Sequence, residues 1–573
     1  MSRTIGIGKQ DFEKLIAENV FYVDKTKFIK EWWDNKDDVT LITRPRRFGK
    51  TLTMSMVEKF FSLDYAKRRD LFEGLSIWKE EEFRALQGTY PVISLSFANI
   101  KERDYATARR KICQLLTDLY ADRAYLINSD ALDAMDMDFF RGISVDMDDI
   151  QATMAIHNLS KYLNRYYGKK CIIVLDEYDT PMQEAYVGGY WDEMVFFMRS
   201  LFNASFKTNS YMEKALMTGI TRINKESIFS DFNNPTVITT TSERYEDSFG
   251  FTREEVWEAL KEYGLYEERE NVKMWYDGFT FGRRRNIYNP WSIINYLKEC
   301  KFAPYWANTS SNSLIGKLVQ EGSGRLKISM EDLLSGKTIH ARVDEQIVYD
   351  QLDYDNEAIW SLFLASGYLC VAACELNDDG EREYELKLTN REVLLMFKRI
   401  IRGWFKTSKD EYGAFIEALL LDDVEAMNEY MNKVISTTFS FFDTGKGFVK
   451  DTGTEHTSQL EPERFYHGFV LGLIVDLANR YRITSNRESG FGRYDVVLEP
   501  LRPEDDAMII EFKVCRKAKK QTLDDAAKEA LEQIEEKNYA ANLRAAGIGP
   551  ERIRKYGFAF EGKKVLIGKA GGD

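Results

Sequence analysis

A chain of 573 residues with 44% hydrophobic and 30% charged residues is too long for one hydrophobic core, and roughly two to four domains are expected. The formal net charge of −13 argues against a general, non-specific coat of nucleic acid, while leaving room for a local basic channel. No apolar run approaches the roughly 20 residues that span a bilayer, the start Met1-Ser2-Arg3-Thr4-Ile5-Gly6 lacks the apolar centre of a signal peptide, and the six scattered cysteines fit free thiols in a reducing compartment. A cytoplasmic protein with no membrane partner is therefore expected.

In chain order, Asp11 to Glu18 reads as helix, Phe21 to Thr26 as a short strand with Thr26 as N-cap, and Lys27 to Trp33 as helix. Val39 to Thr43 is an apolar, β-branched run that ends in Arg44-Pro45-Arg46-Arg47-Phe48-Gly49-Lys50-Thr51, and a helical segment follows from Leu52 to Phe61. Strand, loop and helix in this order suit a nucleoside triphosphate. Its phosphates need backbone N–H groups at a helix N-terminus, a lysine on the β and γ oxygens, and a hydroxyl on Mg²⁺. Gly49, Lys50 and Thr51 supply these, with Arg46, Arg47, Phe48 and Leu52 completing the loop. Arg44 occupies the place of the usual first glycine, and an ordinary strand-to-helix turn is the competing reading.

Further strands are expected at Tyr90 to Phe97, Cys171 to Asp179 and Lys214 to Thr221, with helices between them. Alternation of this kind predicts a mostly parallel sheet covered on both faces. The run Ile172 to Leu175 is apolar throughout, as a central strand requires, and it ends in Asp176-Glu177. At the carboxyl end of such a strand Asp176 can hold Mg²⁺ and Glu177 can orient or deprotonate the attacking water, with Asp179 as the next base to test. The strand at Lys214 ends Thr218-Gly219-Ile220-Thr221-Arg222, where Arg222, before Thr218, is the candidate for sensing the γ-phosphate; a surface cation is the other reading of Arg222.

These motifs together resemble the bacterial AAA-ATPase-like family. The resemblance rests on Asp11-Phe12, Tyr22-Val23-Asp24-Lys25-Thr26, Arg44 to Thr51, Leu175-Asp176-Glu177-Tyr178-Asp179, Phe229-Ser230-Asp231-Phe232-Asn233-Asn234, Trp275-Tyr276-Asp277-Gly278-Phe279 and Tyr288-Asn289-Pro290-Trp291-Ser292. It implies an α/β P-loop ATPase domain of the AAA type over 1–298. In that family Arg-Pro-Arg-Arg replaces the loop's opening glycine. The aromatic stretch from Trp275 to Trp291 reads as a compact packed loop, with base stacking as the alternative. Residues 299–442 read as a mostly helical, winged-helix-like connector or lid, and 443–464 as a linker.

The pattern then changes to helix (Phe465 to Tyr481), three strands (Arg482 to Asn486, Arg493 to Leu498, Ala507 to Val514), helix (Leu523 to Tyr539) and strand (Tyr556 to Phe560). Glu511 and Lys513 share one side of their strand because the side-chain period is two, and Asp495 on the neighbouring strand can meet them. Two carboxylates suit Mg²⁺ or Mn²⁺, and the lysine can position water, which is the equipment of phosphodiester hydrolysis. A paired surface pattern is the competing reading, but a charged pair inside the run Met508 to Val514 is costly unless it is partnered. Residues 465–573 resemble the PD-(D/E)xK nuclease superfamily, through Asp495 and Glu511-Phe512-Lys513. That resemblance implies a restriction-endonuclease-like α/β fold. It makes His467, Glu488, Gln533 and Tyr539 accessory candidates, although a packed helix histidine is the plainer reading of His467. Lys513, Arg516, Lys517, Lys519 and Lys520 form a basic run that suits either a phosphate backbone or solvent.

The expectation is an ATP-binding and ATP-hydrolysing protein joined to a metal-dependent nuclease, with ATP and Mg²⁺ or Mn²⁺ as cofactors. Nucleic acid, DNA before RNA, is the expected partner, and a homo-oligomer is compatible with the sequence. The alternative is a nucleotide-controlled switch or scaffold that binds nucleic acid without cutting it.

Overall fold

The computed structural model describes residues 2–207, 209–222, 235–309, 313–344, 352, 355–377, 380–404, 409–443, 457–487, 494–515, 521–538, 540–561 and 564–570, and the side chains of all of these except 313, 409, 437–443, 457–466, 486–487 and 494–495. The chain divides into two compact units, Met1–Ser311 with His340–Val393, and Asn312–Ile339 with Leu394–Asp573. The stretch expected as a separate connector, 299–442, is thus shared out between them. The motif at 229–234 lies outside the described residues.

The first unit is built on five parallel strands: β1 (Val39–Thr43), β2 (Val92–Ser96), β3 (Cys171–Asp176), β4 (Met212–Gly219) and β5 (Thr236–Ile238), in the spatial order β2-β3-β4-β1-β5. Every residue of β1 and β3 is buried, which their continuous apolar and β-branched composition allows. β4 lies between the loop-bearing strand and the acid-bearing strand, with Thr43 in register with Gly219 and Leu175 with Met217. The carboxyl ends of β1, β4 and β3 therefore stand side by side. Helix α1 (Lys50–Phe61) follows the loop after β1, α2 (Thr180–Gly188) follows β3, and α3 (Pro290–Glu299) opens on the N-cap Asn289.

Phe21 to Thr26 is not a strand. The chain there makes a single bridge, Thr4 to Val20, and Phe21 donates to the Thr4 carbonyl at 2.8 Å. Thr26 stands at the N-cap position of the helix Lys27–Asp34, but its hydroxyl donates to Asp24 at 2.6 Å instead of capping the helix.

The second unit contains α4 (Gly324–Leu334), the part of α5 (Arg391–Trp404) from Leu394 onward, α6 (Val424–Asp443) and α7 (Thr457–Leu477). Its sheet comprises β6 (Tyr481–Arg487), β7 (Tyr494–Pro500), β8 (Ala507–Val514), β9 (Ile553–Glu561) and β10 (Lys564–Lys569), adjacent in that order. Only β8 and β9 are parallel. The expected linker is helical from Thr457, and 444–456 lie outside the described residues.

One sheet face packs Phe512 against Phe558 at 5.3 Å and against Phe469 of α7 at 6.4 Å. The other is covered by α8 (Leu523–Glu536), which approaches so closely that a Cβ on Gly557 would lie 2.5 Å from the Ala527 carbonyl oxygen. β10 was not legible in the sequence. It is an edge strand held by α6, where the Asn428 side chain pairs with both the N–H and the C=O of Ile567, and Asn432 does the same to Val565.

Candidate functional site

The loop after β1 is fixed by side chains where a glycine-rich loop would bend freely. Arg44 is wholly buried. Its guanidinium donates to the Thr239 carbonyl at 2.6 Å and lies 4.5 Å from the centre of the Phe281 ring. Its backbone N–H donates to Gly219 of β4 at 3.1 Å. The Arg46 carbonyl accepts from the Trp306 indole at 3.0 Å and from Asn289 at 3.2 Å. Arg47 and Gly49 adopt φ of +65° and +86°, the left-handed region that glycine tolerates and arginine must be held in. The Arg47 guanidinium sits 4.5 Å from the Trp291 ring, and Phe48 is wedged between Phe279 and Phe281.

Arg46 through Thr53 line a cavity of about 450 Å³, together with Glu177, Trp291, Tyr22, Lys25 and the segment Gly6 to Gln10. Lys50 is buried and donates to the loop's own carbonyls, Arg44 at 2.9 Å and Pro45 at 3.0 Å. Burial pulls its ammonium below the ordinary lysine value, against the opposing pull of Glu177, Asp176 and Asp179.

Asp176, at the end of β3, accepts from the Thr51 hydroxyl at 2.7 Å and from the Thr218 hydroxyl at 2.5 Å. Burial raises its pKa, and these two hydroxyls work against that rise. Glu177 has a φ of +52°, and the Thr180 hydroxyl at the start of α2 donates to its carboxylate at 3.1 Å. It lines the cavity, whereas Asp179 does not. Asp179 is fully buried and accepts from the backbone N–H groups of Ile220 and Thr221 at 2.9 and 2.8 Å, so it ties β3 to the end of β4.

Arg222 lines a separate small pocket with Thr43, Thr239 and Thr240, and the residue that β4 brings to Asp176 is Thr218. Four turns of chemistry were not singled out by sequence: Gly6 to Gln10, Tyr22 with Lys25, Asn289, and Trp306. Tyr22, Lys25 and Asn289 lie within motifs that carried the family resemblance, which is the signal that could have found them. Trp275 is a packing residue, stacked on Phe302 at 5.8 Å, while Trp291 from the same stretch faces the cavity.

In the second unit, Asp495 of β7 pairs in register with Glu511 of β8. The Asp495 side chain lies outside those described. Glu511 is wholly buried, and the Lys513 ammonium lies 3.9 Å from its carboxylate and 3.9 Å from Glu529 of α8. Lys513 also donates to the Gln533 side chain, so Gln533 is a direct partner of the lysine. His467 is buried on α7, the helix on the opposite face of the sheet from α8, with Nδ1 3.7 Å from Glu331 of α4. Glu331 also accepts from Ser485 at 2.7 Å. His467 thus belongs to a packed polar cluster, and Glu331, 136 residues earlier in the chain, carried no sequence signal. Glu488, Tyr539 and the basic residues 516–520 lie outside the described residues. Among the described residues no group of three or more His, Cys, Asp or Glu side chains forms a ready metal cage, and no helix is long and apolar enough to cross a membrane.

A sheet with β4 inserted between the loop strand and the acid strand, carrying Lys50, Thr51 and Asp176 at its edge, defines a P-loop domain of the additional-strand type, and the second unit is a mixed α/β sheet domain. Known families agree. Residues 6–229 match the family model described as Predicted AAA-ATPase, and residues 461–570 match that of the PD-(D/E)XK nuclease superfamily, so the chain carries an AAA-ATPase-like domain and a C-terminal PD-(D/E)XK nuclease superfamily domain. An uncharacterized protein in the vnfD 5' region of Azotobacter chroococcum mcd 1 is 24% identical over 555 residues, which cover 96% of this chain and 95% of that protein. No solved structure matches the chain.

Proposed function

We propose that the protein binds and slowly hydrolyses ATP with its first unit and cleaves nucleic-acid phosphodiesters with its second, the nucleotide state controlling the cut. The observation that carries the nucleotide reading is the convergence of the Thr51 and Thr218 hydroxyls on Asp176 beside a cavity lined by the loop 46–52.

Both donor sets fit a hard divalent cation: a hydroxyl and a carboxylate in the first unit, and two carboxylates on neighbouring strands in the second. When bound, Mg²⁺ or Mn²⁺ would neutralise phosphate charge and lower the pKa of water. Thr51 and Asp176 would hold it in the first unit, and Asp495 and Glu511 in the second.

The chain's own residues do the remainder. The backbone N–H groups at the start of α1 receive phosphate oxygens. Lys50 exchanges the carbonyls of Arg44 and Pro45 for the β and γ oxygens. Glu177 takes the proton of the attacking water. In the second unit Lys513, steadied by Gln533, positions water and offsets developing negative charge. DNA is the first substrate to test, before RNA, in a cytoplasmic setting and with a homo-oligomer allowed.

The Arg44 anchor and the self-bonded Lys50 favour slow turnover, which suits a switch better than a motor. The decisive experiment measures Mg²⁺- or Mn²⁺-dependent cutting of single- and double-stranded DNA and RNA, with and without ATP. Cutting that depends on Glu511 supports the reading. No cutting on any substrate with either metal transfers the case to the scaffold reading, in which the second unit only binds nucleic acid.

A further inference from the structure

Glu392 is a fully buried carboxylate at the start of α5, away from the acids assigned above. Its Oε1 accepts the backbone N–H of Trp306 at 3.1 Å, and its Oε2 accepts the Ser292 hydroxyl at 2.7 Å. Each oxygen begins a path to the same atom of the phosphate loop. From Trp306 the indole N–H donates to the Arg46 carbonyl at 3.0 Å. From Ser292 the backbone N–H donates to Asn289 Oδ1 at 3.3 Å, and the Asn289 amide donates to the Arg46 carbonyl at 3.2 Å.

The peptide unit is planar, so holding the Arg46 carbonyl on one side holds the Arg47 N–H on the other. A flip of that one peptide would exchange a donor for an acceptor in the loop that lines the cavity. Arg47 already sits at a φ of +65°, a conformation that persists only where surrounding contacts over-determine it.

We propose that Glu392 is a positioning residue that locks the Arg46–Arg47 peptide of the phosphate loop and couples it to helix α5, within which the chain leaves the first unit. The consequence for ATP rests on the nucleotide reading above; the lock itself does not.

A carboxylate is an expensive way to fill this place. Burial pushes the Glu392 pKa up to about 7, opposed by the bonds from Ser292 and from the backbone of Trp306 and Tyr305. The titratable groups facing it are the phenols of Tyr276 and Tyr305, both raised by burial. Above that pKa both oxygens are full acceptors. Below it one becomes a hydroxyl that can donate to the Ser292 oxygen, and because burial raises the pKa the closed site is favoured by protonation, so the lock is tightest on the acid side of neutrality and loosens as pH rises through about 7.

The test is amide hydrogen exchange on the full chain without nucleotide, comparing wild type, Glu392→Gln and Trp306→Phe. The phenylalanine keeps the ring packed between Phe279 and Tyr368 and removes the indole N–H. At pH 6 both variants are expected to exchange about tenfold faster at 46–50 and at 394–404, the scale of one lost hydrogen bond, with 171–176 in β3 unchanged. At pH 8 wild type is expected to approach Glu392→Gln, which itself shows no such pH dependence once intrinsic exchange is divided out.

Protection at 46–50 equal to wild type in both variants overturns the proposal, as does a wild-type profile that parallels Glu392→Gln from pH 6 to 8. Loss of protection in β3 marks an unfolded Glu392→Gln, and Trp306→Phe then decides alone. ATP titration of the same samples separates the two claims. Wild type that fails to bind ATP removes the nucleotide reading while the exchange result stands. Wild type that binds, with both variants binding and exchanging equally, removes the lock.

Discussion

The Thr51 hydroxyl donates a 2.7 Å hydrogen bond to the Asp176 carboxylate, 125 residues further along the chain. That bond brings the start of α1 and the end of β3 to one point, and it leaves Lys50 beside the same carboxylate. Chemistry assigned to the loop and chemistry assigned to the acid strand therefore belong to one site.

Lys50→Ala removes two bonds to the loop carbonyls and the cation proposed to meet the β and γ phosphates. Calorimetry with ATP should show affinity weakened by about a hundredfold, roughly 3 kcal/mol for a charge-assisted contact. The fold should survive, because the lysine's bonds run to the carbonyls of its own loop, which Arg44 and the Arg46 carbonyl contacts hold independently. ATP affinity equal to wild type would falsify the loop assignment.

Asp176 and Glu177 should fail differently. Asp176→Ala leaves the Thr51 and Thr218 hydroxyls without their acceptor, and Mg²⁺-dependent nucleotide affinity should fall by about tenfold or more. Glu177→Gln preserves shape and the Thr180 contact. Bound ATP should be retained while phosphate release slows by about a hundredfold, the usual worth of a general base. Undiminished hydrolysis in Glu177→Gln moves the proton acceptor elsewhere, and the structural burial of Asp179 makes that residue a poor successor.

For the second unit, Glu511→Ala and Asp495→Ala should abolish metal-dependent cutting and leave ATP hydrolysis within about twofold, since the two sites lie in different units. Lys513→Ala should also lose cutting, by about a hundredfold or more, while still binding Mn²⁺, because lysine is not a ligand. Manganese titration beside a cleavage assay distinguishes the three. Cutting that persists in Glu511→Ala places the nuclease site elsewhere or exposes a contaminant.

The edge strand β10 offers a stability test far from either site. Asn428 and Asn432 each satisfy one N–H and one C=O of that strand. Replacing either with alanine should cost about 1–3 kcal/mol in denaturant unfolding of the second unit. Replacing both should open the edge to pairing between chains, seen as concentration-dependent association in sedimentation. Unchanged unfolding midpoints in both single variants would show that water replaces the asparagines without loss.

Much of the architecture was written in the local sequence. Val39 to Thr43 and Ile172 to Leu175 are apolar or β-branched throughout because each is buried on both faces, and a run of that kind announces a central strand. Gly49-Lys50-Thr51 and Asp176-Glu177 stood out because each closes an apolar strand with polar groups, and the structure brings Thr51 onto Asp176. The period of two placed Glu511 and Lys513 on one side before any fold was known. Short or edge elements were not legible: β5 has three residues, β10 is flanked by lysines and glycine, and neither carries a pattern long enough to stand out.

Tertiary structure alone decided the rest, since these outcomes depend on which distant segments become neighbours. Whether Thr218 or Arg222 meets Asp176 is set by the register of β4 against β3. Arg44 becomes an internal anchor because the Thr239 carbonyl and the Phe281 ring arrive beside it from some two hundred residues away. His467 turns to a packed cluster because α4 delivers Glu331 to it. The two paths from Glu392 to the Arg46 carbonyl join residues 46, 289, 292, 306 and 392, whose spacing follows no local period. Helix and strand periodicity report only what neighbours in sequence share, whereas a hydrogen-bond network of this reach exists only once the chain has closed its loops.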